Sequence, residues 1–229
     1  TTFVYYSSLA AELTTSTSTS TSALFDSIVE GVDGGTDTIN SALSITLPDN
    51  VENVALSGSG AINGVGNSLN NVLTGNSAAN ILKGLGGDDT LVGGGGSDSL
   101  TGGTGDDIFR YTNTSDGGAV ATNVTASTAN ISGDTIFDFV SGTDKLEFTS
   151  SAFGNLSTGA LASGLFVDLN EAYDGTNSGL ASGSKAFILD STNKLYFDSA
   201  TDTSGQDSNE GYSVIAANLD LVATDITII

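Results

Sequence analysis

The chain lacks several residue types on which much protein chemistry depends. Its 229 residues include no cysteine, no histidine, no tryptophan and no methionine. Without histidine, Ser-His-Asp triads and histidine-ligated zinc are excluded, and without cysteine so are disulfides and thiol nucleophiles. Carboxylate pairs are the catalytic groups that remain, but no tryptophan is present to stack on a sugar. We therefore expect no enzyme, and a carboxylate-based, glycan-active enzyme is the distant alternative.

Basic residues are also scarce. Lysine and arginine total 5 against 27 aspartates and glutamates, which gives a net charge of −22. Such a surface repels nucleic acid and anionic membranes and attracts cations. No apolar run reaches the eighteen or so residues of a membrane span, and the N-terminus has no basic region of the Sec type. The missing methionine at position 1 indicates a mature product or a fragment.

Glycine, in contrast, is abundant and periodic. Five units of nine residues fill positions 66–110: GNSLNNVLT, GNSAANILK, GLGGDDTLV, GGGGSDSLT and GGTGDDIFR. A flexible linker has no reason to keep such a period, whereas a repeat architecture requires it. Each unit has a large apolar residue at one position and an acid or amide two residues earlier. The apolar residues are Leu73, Leu82, Leu91, Leu100 and Phe109, and the polar ones are Asn71, Asn80, Asp89, Asp98 and Asp107.

The residue types of the nine-residue unit predict its structure. Glycine-rich turns bring backbone close to an ion, and a short strand after each turn points its middle apolar residue inward. Two units then close one coil, so that residues eighteen apart lie about 4.8 Å from each other. This places Asp89 beside Asp107 and Asn80 beside Asp98. Stacked carboxylates repel unless a cation lies between them, and oxygen ligands with turn carbonyls suit Ca²⁺.

This tract resembles the GGxGxDxUx repeats of RTX (repeats-in-toxin) proteins, most strongly over residues 84–110. The resemblance implies an all-β fold, a right-handed parallel β-roll that binds Ca²⁺. Asn71 and Asn80 stand where the family has aspartate, so calcium binding there should be weaker or absent. The candidate metal ligands in the repeats are Asn80, Gly84, Gly86, Asp89, Gly93, Gly95, Asp98, Gly102, Thr104 and Asp107.

The segments that flank the repeats carry further resemblances. Residues 41–65, with the turn at Pro48, resemble the TLPxNVENLxLxG segments that lead into RTX repeats. DTIFDFVSGTDKLEF (134–148) resembles the element that closes the β-roll of serralysin-type metalloproteases. Asp134, Asp138 and Asp144 are therefore candidate calcium ligands, and the alternative is ordinary charges at strand edges. The sequence Gly35-Thr36-Asp37 recurs as Gly142-Thr143-Asp144. This is part of a wider sequence similarity between the two flanks, the segments before and after the repeats.

The C-terminal stretch VIAANLDLVATDITII (214–229) resembles the tail of type I secretion substrates, in which an uncleaved signal leaves the cell first. The alternative is a last buried strand, and the two interpretations are compatible. We thus expect three regions: an N-terminal β segment (1–65), the roll (66–110), and a β-rich C-terminal cap with the secretion region (111–229).

These features predict a secreted, bacterial, calcium-binding protein that folds on Ca²⁺ outside the cell, with about two and a half coils in its repeats. Two roles remain open. The chain is the secretion and structural module of an extracellular protein, or a self-assembling subunit of an S-layer, sheath or filament. The expected partners are calcium ions and the type I secretion machinery, with self-association in the second role, and neither nucleic acid nor a membrane span is expected.

Overall fold

The chain forms two β-sheets that share one hydrophobic core. The structure is a computed structural model, and it describes residues 18–20, 35–113, 116, 133–153, 156–161, 165–168, 186–189, 191, 194–198, 211–216 and 221–229. In spatial order the described strands of the first sheet are β1 (Ser18–Ser20), β2 (Thr38–Ser41), β4 (Asn53–Leu56), β6 (Val72–Thr74), β8 (Thr90–Val92), β10 (Ile108–Tyr111), β12 (Lys145–Phe148), β18 (Ile226–Ile228) and β13 (Gly159–Ala160). Those of the second sheet are β14 (Phe166–Asp168), β15 (Ala186–Leu189), β16 (Lys194–Asp198), β17 (Gly211–Ala216), β11 (Asp134–Ile136), β9 (Ser99–Thr104), β7 (Ile81–Gly86), β5 (Gly64–Val65) and β3 (Ile45–Thr46).

Consecutive strands from β2 to β12 alternate between the two sheets. Each strand pairs in parallel with the strand that follows it in its own sheet, as β6 does with β8 and β7 with β9. Two strands and their turns therefore make one coil of a parallel β-solenoid, which confirms the predicted fold. The solenoid has about four turns. It is longer than the repeats because β2 to β5 extend it before residue 66 and β11, β12 and β18 extend it after residue 110.

Within the repeats, the core of the solenoid is a stack of single apolar side chains, one per nine-residue unit. Leu73, Leu91 and Phe109 are partners in the register of β6, β8 and β10, and each is fully buried. Leu82 and Leu100 form the equivalent stack in the second sheet. Each such side chain contributes roughly 1.5–3 kcal/mol by leaving water. The residues on either side of each stacked position are less buried, which confirms the inward position predicted for the apolar residue of each unit.

The C-terminal side of the solenoid is built differently. β11 and β12 do not pair with each other, because β11 continues the second sheet and β12 continues the first. Antiparallel pairing appears here, between β15, β16 and β17 and between β13 and β18. Phe148 lies at the centre of an aromatic cluster, 5.2 Å from the Tyr111 ring, 4.9 Å from Phe153 and 4.5 Å from Phe187.

The described part of the C-terminal tail is a strand. β18 pairs in parallel with β12, and Ile226 and Ile228 are buried. A short 3₁₀ turn, Ala223–Asp225, precedes it. Residues 1–17 and 21–34, which hold most of the N-terminal copy of the sequence shared by the two flanks, lie outside the described residues, as do residues 117–132. Within the described residues, no helix is long and apolar enough to cross a membrane.

Candidate metal centre

A ladder of carboxylates runs along the first sheet, each immediately before a strand. The backbone N–H of Asn71 donates to Asp89 Oδ1 over 2.7 Å, that of Asp89 donates to Asp107 Oδ1 over 2.9 Å, and that of Asp107 donates to Asp144 Oδ1 over 3.0 Å. The first two steps join residues eighteen apart, as the repeat period predicts. The last step joins residues 37 apart, because the chain between β10 and β11 is longer than the link between strands in the repeats.

A second ladder runs along the other sheet. Asn80 N–H donates to Asp98 Oδ1 over 2.7 Å, and Asp98 N–H donates to Asp134 Oδ1 over 2.8 Å. Asp134 therefore occupies the next position of the ladder, although it lies 36 residues after Asp98. The structure thus places one predicted acid of the repeats, Asp98, next to one predicted acid of the closing segment, Asp134.

The second oxygens of three of these carboxylates are buried without a partner. Asp89, Asp98 and Asp134 are at most 2% exposed, and the Oδ2 atom of each accepts no hydrogen bond. A buried carboxylate oxygen with no donor is costly unless a cation neutralises it. The orphaned oxygens therefore fit a bound cation, and the hardness of oxygen ligands fits Ca²⁺.

The glycine that opens each unit leaves the space beside these oxygens. A methyl group at Gly84 would collide with Asp89 Oδ2 and with the carbonyl oxygen of Gly102. At Gly93 it would collide with Asp98 Oδ2 and lie 3.2 Å from Asp134 Oδ2. At Gly102 it would collide with the Oδ2 atom of its own unit's aspartate, Asp107. Carboxylate and carbonyl oxygens thus converge where glycine has no side chain.

The third positions of the units make backbone contacts between neighbouring coils. Gly86 N–H donates to Asn67 O over 3.3 Å, Gly95 N–H donates to Asn76 O over 3.1 Å, and Thr104 O accepts from Gly87 N–H over 3.0 Å. These contacts hold the turns one above another. As metal ligands, Gly86, Gly95 and Thr104 remain predictions.

The side-chain amides of the two asparagines, Asn71 and Asn80, form hydrogen bonds with neighbouring backbone groups. Asn71 Nδ2 donates to the carbonyl oxygens of Val51 and Glu52, over 3.3 and 3.1 Å. Asn80 Nδ2 donates to Ile62 O over 2.6 Å, and Asn80 Oδ1 accepts from Asn76 N–H over 2.9 Å. An N–H donor that faces carbonyl oxygens replaces part of what a cation does there. This gives a physical reason for the weak calcium binding predicted for the first two units.

The three predicted acids of the closing segment differ in how their oxygens are used. Asp134 keeps an unpartnered oxygen. Asp144 Oδ2 accepts from Val140 N–H over 2.7 Å, and the two oxygens of Asp138 accept from the N–H groups of Gly102 and Gly103 over 3.0 and 2.8 Å. Asp138 therefore binds the C-terminal part of β9, whereas Asp134 and Asp144 belong to the ladders.

Sequence reasoning missed two buried acids, Asp37 and Asp225. Asp225 lies before β18 and accepts from Ser141 Oγ over 2.7 Å, from Gly142 N–H over 3.0 Å and from Lys145 Nζ over 3.4 Å. Burial acts to raise the pKa of Asp225, but these donors together hold it below its ordinary value. The signal that could have found both acids is a Thr-Asp pair directly before a strand, as at Thr143-Asp144.

The ladder carboxylates hold protons more tightly than exposed aspartates do. Burial raises the pKa of Asp89 and of Asp98 to about 7, and that of Asp107 to about 6. Burial, with the charge of Asp98 next in importance, raises the pKa of Asp134 to about 8. Tyr111 is fully buried next to Asp134, and both circumstances raise its pKa well above the ordinary value. The charged forms of these groups are therefore unfavourable until a cation compensates them.

The acidic side chains lie next to one another in pairs along the ladders. Among the described residues, no three acidic side chains form a cluster that could hold a metal by themselves. Backbone carbonyls such as that of Gly102 must therefore complete the coordination shell, which Ca²⁺ accepts.

Comparison with known proteins agrees with this geometry. The family model described as the RTX calcium-binding nonapeptide repeat matches in four copies, over residues 65–100 and 84–112. The matched residues contain both ladders from Asn71 to Asp107. Among the curated proteins, none matches the chain.

Proposed function

We propose that calcium binding drives the folding of the chain outside the cell, since residues 65–112 match the RTX calcium-binding nonapeptide repeats, which bind Ca²⁺. The observation that carries the proposal is the set of buried, unpartnered oxygens of Asp89, Asp98 and Asp134. Metal binding that completes such a site contributes directly to the free energy of folding.

The physical basis of the switch is a small core and a large negative charge. The repeats bury one large apolar side chain per nine-residue unit, whereas the chain carries a net charge of −22. Without calcium, self-repulsion and buried anions oppose the folded state, and the chain remains extended. At the millimolar calcium level typical of weak extracellular sites, the same carboxylates become ligands and favour folding.

The role that we propose is that of a non-enzymatic secretion and structural module of an extracellular bacterial protein. An unfolded chain at low cytosolic calcium suits export, and the C-terminal residues resemble type I secretion substrates. The buried acids have backbone N–H groups and glycine carbonyls as neighbours, which supports cation binding as their role and not catalysis.

Self-assembly into an extracellular layer or filament is the second candidate. One observation favours it: among the described strands, β3 ends the second sheet and pairs with β5 alone. Strand edges of this kind pair with other chains unless they are covered.

The test is a calcium titration followed by far-UV circular dichroism and light scattering on one sample. We expect a transition from coil to β-sheet that chelator reverses. Sodium chloride should not replace calcium, because screening by salt acts on exposed charges far more than on buried ones. A chain that is fully β-folded in chelator, with no calcium bound, would overturn the proposal.

The same sample separates the two roles. A monomer in calcium supports the module, and ordered polymers support the self-assembling subunit. Both outcomes are independent of whether calcium induces the fold.

A further inference from the structure

A second kind of cation site is suggested by Asp37, which lies outside the matched repeats. Asp37 precedes β2 and is completely buried, yet neither of its carboxylate oxygens has a hydrogen-bond partner. Asp89, Asp98 and Asp134 each lack a partner at one oxygen, whereas Asp37 lacks partners at both. A buried carboxylate left without any donor is among the most costly arrangements in a protein interior.

The turn before Asp37 matches the turns of the acidic repeat units. Gly35, two residues before Asp37, has a φ of 124°, and Gly87, two residues before Asp89, has a φ of 97°. Glycine adopts this backbone conformation at little cost, whereas residues with a Cβ atom rarely do. The two units with asparagine differ, since Leu69 stands two residues before Asn71.

The strand register places Glu52 where the repeats have their next aspartate. β2 pairs with β4 so that Thr38 is opposite Asn53, and Asp37 is therefore next to Glu52. Asp37 N–H donates to Glu52 Oε2 over 2.9 Å. The N–H of Asp89 makes the same contact with the carboxylate of the following coil. The pair formed by Asp37 and Glu52 thus reproduces the ladder step of the repeats, with glutamate in place of aspartate.

Asn71 separates this pair from the repeat sites. Its side-chain amide donates to the carbonyl oxygens of Val51 and Glu52. The positive end of that amide lies between the coil of Glu52 and the coil of Asp89. An amide therefore interrupts the row of carboxylates between Glu52 and Asp89.

We propose that Asp37 and Glu52 form an additional calcium site at the N-terminal end of the solenoid, outside the nonapeptide repeats. Two carboxylates offer up to four oxygen ligands, and Ca²⁺ accepts carbonyls and water for the remainder. The site fixes β2 against β4, in the coils that precede the repeats. It does not depend on the extracellular role proposed above.

The test is the number of calcium ions bound per chain, measured by equilibrium dialysis on the full chain. The Asp37→Asn variant should bind one ion fewer than the wild type, because asparagine removes the charge and keeps the size of the side chain. The matched control is Asp49→Asn, which changes an exposed acid in the same flank and should leave the count unchanged. An unchanged count in a folded Asp37→Asn variant would overturn the proposal.

Two further measurements cover the case in which Asp37→Asn does not fold. Glu52→Gln keeps an oxygen acceptor for Asp37 N–H, and it should weaken one site at least tenfold. Anomalous diffraction from terbium-loaded wild-type crystals should show a peak between Asp37 and Glu52; peaks at the repeats without one here would overturn the site. Failure of calcium binding in the repeats would appear separately, as a loss of binding in the wild type.

Discussion

At the scale of single residues, the same aspartate oxygen opposes folding without calcium and favours it with calcium. Asp89 Oδ1 already accepts a backbone N–H, so its hydrogen bond sets the position of the carboxylate. Its Oδ2 atom is buried and has no donor. The hydrogen bond is made whether or not a cation is bound, whereas the second oxygen gains a partner only from the cation. Oδ1 thus positions the carboxylate, and Oδ2 binds the cation.

Replacement of Asp89 by asparagine should act in opposite directions under the two conditions. In calcium, loss of a charged ligand should weaken binding about tenfold or more, which corresponds to about 1.4 kcal/mol. In chelator, the metal-free fold should become more stable by about 1–3 kcal/mol, because an unpaired buried charge is removed. Calcium titration measures the first effect, and the β-sheet content in chelator, followed by far-UV circular dichroism, measures the second.

Asp88→Asn is the matched control for this change. Asp88 is exposed, and its Oδ1 atom accepts from Asp106 N–H, a bond that asparagine can keep. The control should alter neither calcium affinity nor stability by more than a few tenths of a kcal/mol. Equal effects of the Asp88 and Asp89 variants would show that net charge matters and that position does not.

At the scale of elements, the nine-residue period predicted the repeats well because each strand has only one register that buries its apolar residue. Leu91 could pair only with its equivalents one coil away, and it does. The flanking coils could not be predicted in this way. The steps from Asp37 to Glu52 and from Glu52 to Asn71 span 15 and 19 residues, so no fixed period marks them.

The contacts of the closing elements could not be predicted, for a different reason. Asp225 lies 80 residues from Lys145, its partner in an ion pair of 3.4 Å. Contacts at such distances along the chain depend on how the intervening segment returns to the solenoid. A local motif cannot specify that return, although the Thr-Asp pair before the strand was visible in the sequence.

The glycine that opens a unit should matter for the metal site more than for the turn. Gly93→Ala places a methyl group against Asp98 Oδ2 and 3.2 Å from Asp134 Oδ2, where the cation belongs. We expect loss of one calcium ion per chain and a lower melting temperature in calcium. Gly60→Ala is the control, because its nearest neighbour would be an Ile62 methyl at 4.0 Å. An unchanged calcium count in Gly93→Ala would show that the two carboxylates bind no common ion.

At the scale of the whole molecule, the acids make folding depend on what compensates their charge. Asp89 and Asp107 in the first ladder and Asp98 and Asp134 in the second are at most 2% exposed. The four lie in one continuous solenoid, so they protonate or bind cations as part of a single folding unit. Protons and calcium are therefore alternative partners for the same oxygens.

The metal-free chain should consequently become less stable as pH rises. In the folded state the pKa values of these four aspartates are raised from 3.8 to between about 6 and about 8. Folding therefore takes up protons at pH values that lie between the unfolded and the folded pKa. Their stabilising contribution is complete below about pH 4 and is lost as pH rises through about 8, by about 1.4 kcal/mol per pH unit for each proton. The fraction of folded chain in chelator, from far-UV circular dichroism between pH 5 and 8, measures this dependence, and the Asp98→Asn variant should reduce it. In saturating calcium the trend should reverse, because protons compete with the ion below about pH 7. A folded fraction in chelator that is unchanged or rises with pH across this range would mean that the buried carboxylates are already paired without metal.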